Sequence, residues 1–326
     1  MVDVRHLTLN ELRTAIDTGD AEDLSTAAGS PVVAISDDHE TDQAIAALAP
    51  RLVSVPCVLL AHPGLDRLAP IVDAFVDDAD LGAVLDAVEG NPLAATAMVV
   101  LLRSTLTRTI DEGLVAESVT YSMLQGGPEF ARWRAGRQRR QRPEPERAVL
   151  TDRTDGTLTI TLNRPHVHNA FSRSIRDGLA EALAVAMADD SVDRIVLQGA
   201  GPSFCSGGDL DEFGDFPDPA SSHVIRLTRS PARLVARLAA RVEVRTHGSC
   251  MGAGAELPAF AGRVVARPGT RFALPELSLG LVPGAGGTVS LPRRIGRHRT
   301  ALLGLTGTPI DAETALDWGL VDALDT

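Results

Sequence analysis

Residues 248–288 read GSCMGAGAELPAFAGRVVARPGTRFALPELSLGLVPGAGGT. The stretch has two glycine-dense turns and two isolated glutamates, Glu256 and Glu276, each set in a mostly apolar run. GAGAEL (252–257) predicts a tight turn feeding a helix, with Glu256 in the first helical turn. A carboxylate there lies near unpaired backbone N–H groups and the positive end of the helix dipole. FALPELSLG (272–280) predicts a short strand or loop around Pro275 that carries Glu276. PGAGGT (283–288) predicts a second turn opening toward a helix. Small residues let a ligand approach the backbone, and the free amides there can bind an oxyanion. Two carboxylates beside such amides are what proton transfer next to a carbonyl requires. Taken alone, the stretch also fits capping glutamates and plain turns; a matching stretch upstream is what separates the two readings.

That match is PSFCSGGDLDEF (202–213). Gly207 and Gly208 free backbone amides, and Asp209 is placed to cap a following helix. Around it, LTDRTDGTLTITLNRP (150–165) reads as two strands about Asp155 and Gly156. Residues 169–188 read as an amphipathic helix, and DRIVLQGAG (193–201) as a buried strand. SPARLVARLAA is helical, VEVRTH (242–247) is a strand, and two helices close the chain.

The whole chain sets outer bounds. Its 326 residues suffice for one large or two ordinary domains. A net charge of −12 argues against nucleic acid as a general partner. None of the basic residues is lysine, so Schiff-base chemistry is excluded and any anion site must use arginine or backbone amides. Cys57, Cys205 and Cys250 match no metal spacing, which points to a reduced, cytoplasmic setting and no metal. The first residues lack a signal pattern, and no apolar run approaches the roughly 20 residues of a membrane span.

The first 146 residues are less explicit. TLNELRTAIDT (8–18) predicts a capped helix, PVVAISDD (31–38) and VPCVLLAH (55–62) predict strands, and 41–52 a helix ended by Pro50. Residues 66–90 show helical spacing. Residues 91–125 carry the longest helical pattern, with a break expected near Gly113. GGPEFARWRAGRQRRQRPEPE (126–146) predicts a short helix and then a linker. Its arginines fit a solvated face paired with local acids better than a phosphate site.

NRPHVHNA, FCSGGDL, GSCMGAGAEL, FALPELSLGLVPGAGGT, LPRRIG and DAETALDWGLVDAL occur in an order and spacing that resembles the crotonase superfamily, the enoyl-CoA hydratase/isomerase fold. The resemblance covers residues 150–326. It implies an α/β fold, a spiral of β-β-α repeats. It implies an oxyanion hole from the amides of Gly208 and Ala253, the second strengthened by a helix dipole. It places Glu256 and Glu276 on the two catalytic glutamates and Gly284 where a backbone N–H holds the catalytic water. Asp209 lies beside the site as a positioning or capping residue. The implied substrate is an acyl-CoA thioester, with no further cofactor and no membrane partner. The implied assembly is a homo-oligomer, trimer or hexamer. Both glutamates together favour water addition to, or loss from, a 2-enoyl-CoA, the work of a hydratase-like lyase. Double-bond isomerisation and a non-catalytic acyl-CoA-binding subunit remain open.

The family's usual course continues past the VDAL-like segment into tail helices, whereas this sequence ends at Thr326. Residues 71–143 resemble that tail. IVDAF (71–75) also echoes LVDAL (320–324), and VPCVLLAHPG (55–64) echoes VEVRTHGSCMG (242–252). Residues 1–146 are therefore expected to be a reduced crotonase-like scaffold unit and residues 147–326 the catalytic domain.

Overall fold

A computed structural model describes residues 4–27, 29–140, 143–215 and 218–325. The chain begins with β1 (Val4–Thr8), α1 (Leu9–Thr18), β2 (Val32–Ser36), α2 (Asp42–Leu48), β3 (Val58–Ala61) and β4 (Ala74–Phe75). Thr8 opens α1 with a capping box: its side chain accepts from the Glu11 amide, and Glu11 accepts from the Thr8 amide. The four strands form a parallel sheet in chain order. β2 and β3 are almost entirely buried, which matches their unbroken apolar sequence.

Four helices follow: α3 (Asp78–Gly90), α4 (Pro92–Arg103), α5 (Ile110–Gln125) and α6 (Pro128–Ala135). Two expectations need correction here. Residues 66–90 are not one helix, because a 3-10 turn and β4 precede α3, which starts only where Asp77 caps it. The break in the long helical run falls at residues 104–109, where Thr109 builds a capping box with Glu112. Gly113 lies inside α5; a Cβ there would stand 2.9 Å from Val289 Cγ2, so this glycine permits close helix packing.

The second half contains β5 (Val149–Thr154), β6 (Thr157–Leu162), α7 (Arg173–Ala188), β7 (Arg194–Gly199), α8 (Pro219–Thr228), α9 (Pro231–Arg237) and β8 (Val242–Thr246). It continues through β9 (Ser249–Met251), α10 (Ala253–Glu256), β10 (Arg263–Ala266), β11 (Arg271–Ala273), α11 (Gly287–Ile295) and α12 (Arg297–Thr306). β12 (Ile310–Asp311), α13 (Ala312–Trp318) and β13 (Ala323–Leu324) complete it. Six strands make one sheet in the order β13-β10-β8-β7-β6-β5, parallel except for the β5–β6 hairpin. β12, β11 and β9 form a smaller sheet beside it. The turns between its strands carry the glycine-rich loops.

The two halves share a core. Met98, Leu102, Tyr121, Leu124 and Phe130 of the early helices pack with Leu277, Leu281, Val282, Ala301 and Leu305. Polar ties cross the same seam: Thr105 donates to the Thr288 carbonyl at 2.6 Å, and Arg297 to the Val72 carbonyl at 2.7 Å. Helices α3–α5 therefore cover the face of α11 and α12 in their own chain, and α6 packs on the turn Glu276–Leu279.

Candidate active site

NRPHVHNA acts as a clamp. Asn169, fully buried, donates to the carbonyls of Ala200 and Ser203 at 2.8 Å and accepts from the Arg164 amide at 2.7 Å. Arg164, also buried, donates to Asp209 Oδ2 at 2.9 Å and to the Ala170 carbonyl at 2.7 Å, and meets Glu144. These bonds fix residues 204–209 from behind. Asp209 caps no helix: residues 210–214 form turns, and the next helix, α8, is capped by Asp218. Its carboxylate serves the Arg164 ion pair and the Asp211 amide instead.

The 204–209 loop runs beside β9, with Cys205 paired to Cys250 through main-chain bonds. Both thiols are buried, and burial pushes the Cys205 thiol up to about 12, so they serve as packing residues. The amides of Gly208 and Ala253 stand at the mouths of the two loops; among the described residues neither has a hydrogen-bond acceptor. Ala253 opens α10, which is a single turn followed by the 3-10 turn Pro258–Phe260. The amide itself, rather than a helix macrodipole, is what that position offers.

Gly252 adopts φ +48°, and a Cβ on it would stand 2.1 Å from Glu276 Oε1. Only glycine lets the Glu276 carboxylate lie against this turn. Glu276 is 8% exposed, and its Oε2 has no hydrogen-bond partner. Burial, aided by the charge of Glu117, pushes its carboxyl up to about 7. Glu256 is 2% exposed, and its Oε2 accepts from the amides of Ala285 at 2.7 Å and Gly287 at 2.8 Å. Burial first, then the charges of Glu276 and Glu117, raises its carboxyl well above the ordinary value.

A third carboxylate, Glu117, comes from α5. It accepts from the Gly286 amide at 2.7 Å, the Thr288 amide at 2.9 Å and the Thr288 hydroxyl at 2.7 Å. Burial pushes it up to about 7 despite those donors. Tyr121, one turn along α5, lies against Gly284: a Cβ on that glycine would stand 2.5 Å from Tyr121 Cε2. Sequence reasoning passed over both residues. The signal was present, because Leu114, Glu117, Ser118, Tyr121 and Leu124 form one helical stripe, all buried. An acid on the buried face of an amphipathic helix needs an internal partner.

All six residues singled out from the sequence (Gly208, Asp209, Ala253, Glu256, Glu276 and Gly284) border one cavity of about 210 Å³, together with Glu117 and Tyr121. A second cavity of about 410 Å³ adjoins it across Gly208 and Asp209, lined by Arg137, His166 and His168. Arg137 pairs there with Asp211 at 3.4 Å and Arg139 meets Asp215, so these two linker arginines are matched by local acids, while Arg132 and Arg134 donate to the Gly90 and Phe213 carbonyls. His166, His168 and His247 bond to the Pro143 carbonyl, the Ser203 hydroxyl and the Gly201 carbonyl.

Residues 152–326 match the family model described as enoyl-CoA hydratase/isomerase. The chain belongs to that family. It is 37% identical over 178 residues to 1,2-epoxyphenylacetyl-CoA isomerase of Escherichia coli, a match covering 53% of this chain and 68% of that one. It is 35% identical to 2,3-dehydroadipyl-CoA hydratase of the same organism, over 53% of this chain and 67% of the other. The crystal structure of enoyl-CoA hydratase from Mycobacterium smegmatis superposes with a TM-score of 0.51 at 35% identity. That match covers 56% of this chain and 70% of that one. The fold of the second half is thus the crotonase fold, and the chain is related to enzymes that process enoyl-CoA thioesters. No single helix among the described residues is long and apolar enough to cross a membrane.

Proposed function

We propose that this protein is an enoyl-CoA hydratase or dehydratase. One observation carries the reading: Glu256 and Glu276 are buried in the same cavity as two unpartnered amides, those of Gly208 and Ala253. The thioester oxygen is held by those two amides. The cavity with the glutamates takes the acyl chain, and the adjoining one takes the thiol-linked carrier. Water oxygen adds to the β-carbon, the π electrons move toward the carbonyl, and the enolate oxygen is stabilised by the two N–H donors. Losing one such donor typically raises the barrier by about 2.7–4 kcal/mol.

The geometry divides the proton work. The two amide hydrogen bonds that Glu256 accepts fix its carboxyl group beside the 284–287 turn, so it is the one placed to take the proton from water. Glu276 has an oxygen without a donor and a carboxyl raised to about 7, so it delivers a proton to the α-carbon. This chemistry uses only amides and side chains of the chain, with coenzyme A carried by the substrate. A relative named as a 2,3-dehydroadipyl-CoA hydratase supports enoyl-CoA chemistry, and the presence of two buried glutamates favours hydration.

Residues 1–146 fit a reduced crotonase-like unit whose helices stand in for the family's tail. The parallel β1-β2-β3-β4 sheet in chain order supports this, as do the helices seated over α11 and α12. The experiment for the activity is direct. Purified protein mixed with a short 2-enoyl-CoA is followed by the absorbance of the conjugated thioester. Loss of absorbance is expected; formation of that absorbance from a 3-enoyl-CoA, without loss from the 2-enoyl-CoA, would make the protein an isomerase instead.

A further inference from the structure

Arg226 lies on α8 and lines the cavity that holds the glutamates. Among the described residues, its guanidinium is held by α5 alone. Nε donates to the Ser118 hydroxyl at 3.0 Å, Nη2 donates to the Ser122 hydroxyl, and Nη1 reaches Gln125 Oε1 at 3.5 Å. Its central carbon stands 4.7 Å from the centroid of the Tyr121 ring. A guanidinium has five N–H donors, and three are used here.

No carboxylate among the described residues comes within ion-pair distance of Arg226. The other arginines at this cavity are matched: Arg173 with Glu212 and Asp215, and Arg176 and Arg229 with Asp177. Glu117 is near enough to favour the charge on Arg226, but amides and a hydroxyl of the 286–288 turn occupy both its oxygens. Burial works against that charge. A positive group held this way, with neutral partners only, is completed best by an anion that arrives with the ligand.

Its place in the cavity says which part of the ligand that is. Tyr121 presents its face to Arg226 and its edge to Gly284. Tyr121 thus stands between Arg226 and the turn that holds Glu256, and Arg226 lines the cavity assigned above to the acyl chain. An anionic tail is attracted by Arg226, which also orients the chain.

We propose that Arg226 binds an anionic group at the far end of the acyl chain, so that the preferred substrate class is a short 2-enoyl thioester ending in a carboxylate rather than in a methyl group. This rests on the hydratase reading of the same cavity.

The test compares two six-carbon 2-enoyl-CoA thioesters on the full chain, one ending in a methyl group and one in a carboxylate. Charge-assisted hydrogen bonds predict a kcat/KM about ten- to hundredfold higher for the second. In Arg226→Gln that ratio falls to near unity, and Arg226→Lys keeps part of it. Equal kcat/KM values in the unaltered protein overturn the proposal without any variant having to fold, and so does a ratio unchanged in Arg226→Gln. If neither thioester is hydrated, calorimetric titration with the two saturated six-carbon thioesters replaces the kinetics. Tighter binding of the carboxylate-ended thioester, lost in Arg226→Gln, then upholds the anion site while the hydratase reading fails. Equal binding overturns the anion site, as does an Arg226 dependence shared by the methyl-ended thioester, which would place the arginine on the coenzyme phosphates.

Discussion

Glu117 and Glu256 divide four consecutive amides of one turn between them. Ala285 and Gly287 donate to Glu256, while Gly286 and Thr288 donate to Glu117. A backbone in tight alternation presents successive N–H groups to opposite sides, and here each side meets a buried carboxylate. The turn is held from both halves of the chain, and Glu256 is oriented by a segment that Glu117 also fixes. We assign Glu117 as a positioning residue that acts through this turn.

Glu117→Gln is expected to lower kcat about tenfold or more, with a smaller change in KM, because an incorrectly placed general base loses most of its contribution. It should also move the pH–rate profile toward lower pH, since one negative charge no longer raises Glu256 and Glu276. A purely structural role would depress the rate at every pH and leave the profile where it is. Glu117→Ala leaves two amides and a hydroxyl without an acceptor, each costing about 1–3 kcal/mol, and should visibly lower the melting temperature.

Glu256→Gln and Glu276→Gln should each reduce hydration by about 10²–10⁴-fold while the far-ultraviolet circular dichroism spectrum stays the same. Steady-state assay of both variants against one 2-enoyl-CoA checks this. Normal turnover in either variant removes that glutamate from the mechanism.

Stability should fall as pH rises from about 4.5 to beyond about 7. Glu117 and Glu276 are raised from 4.5 to about 7, and burial raises Glu256 well above its ordinary value, so the folded chain retains protons that the unfolded chain releases. The contribution is complete below the unfolded value and is lost as pH passes through the folded one. Urea unfolding at a series of pH values should show the slope, and Glu276→Gln should flatten it. A slope unchanged in that variant would show that Glu276 does not titrate in this window.

Residues 147–326 expressed alone should lack activity. Leu277, Leu281, Val282, Ala301 and Leu305 are buried against helices of the first half, and Glu117 and Tyr121 line the cavity. Removing those helices exposes a contiguous apolar face and frees the 285–288 turn. Recovery of turnover on adding residues 1–146 is the expected result. A soluble, monomeric and fully active fragment would reduce the first half to an appendage.

Local chemistry makes much of the site legible in the amino-acid sequence. Glycine clusters mark places where backbone must approach a ligand, and an isolated acid in an apolar run is conspicuous. Gly208, Glu256 and Glu276 stand out in that way, the resemblance to the crotonase superfamily adds Ala253 and Gly284, and all five border one cavity. Element types followed from period and capping. Misplaced boundaries arose where a signal had two meanings: Gly113 looked like a breaker because a glycine that admits a neighbouring helix is spelled the same way. Asp209 looked like a helix cap because an acid after two glycines does not reveal the arginine behind it.

What the sequence determined by itself, then, was the identity of the reacting parts, since each is encoded by a few adjacent residues. Only the tertiary structure decided that Glu117, 169 positions before Gly286, shares the turn that holds Glu256. It also decided that Arg226 faces the same cavity with no carboxylate partner among the described residues. Hydrophobic periodicity specifies which face of a helix is buried, but not which other segment is buried against it. That choice is made when distant apolar faces close on one another, and the charges they carry inside acquire their partners only then.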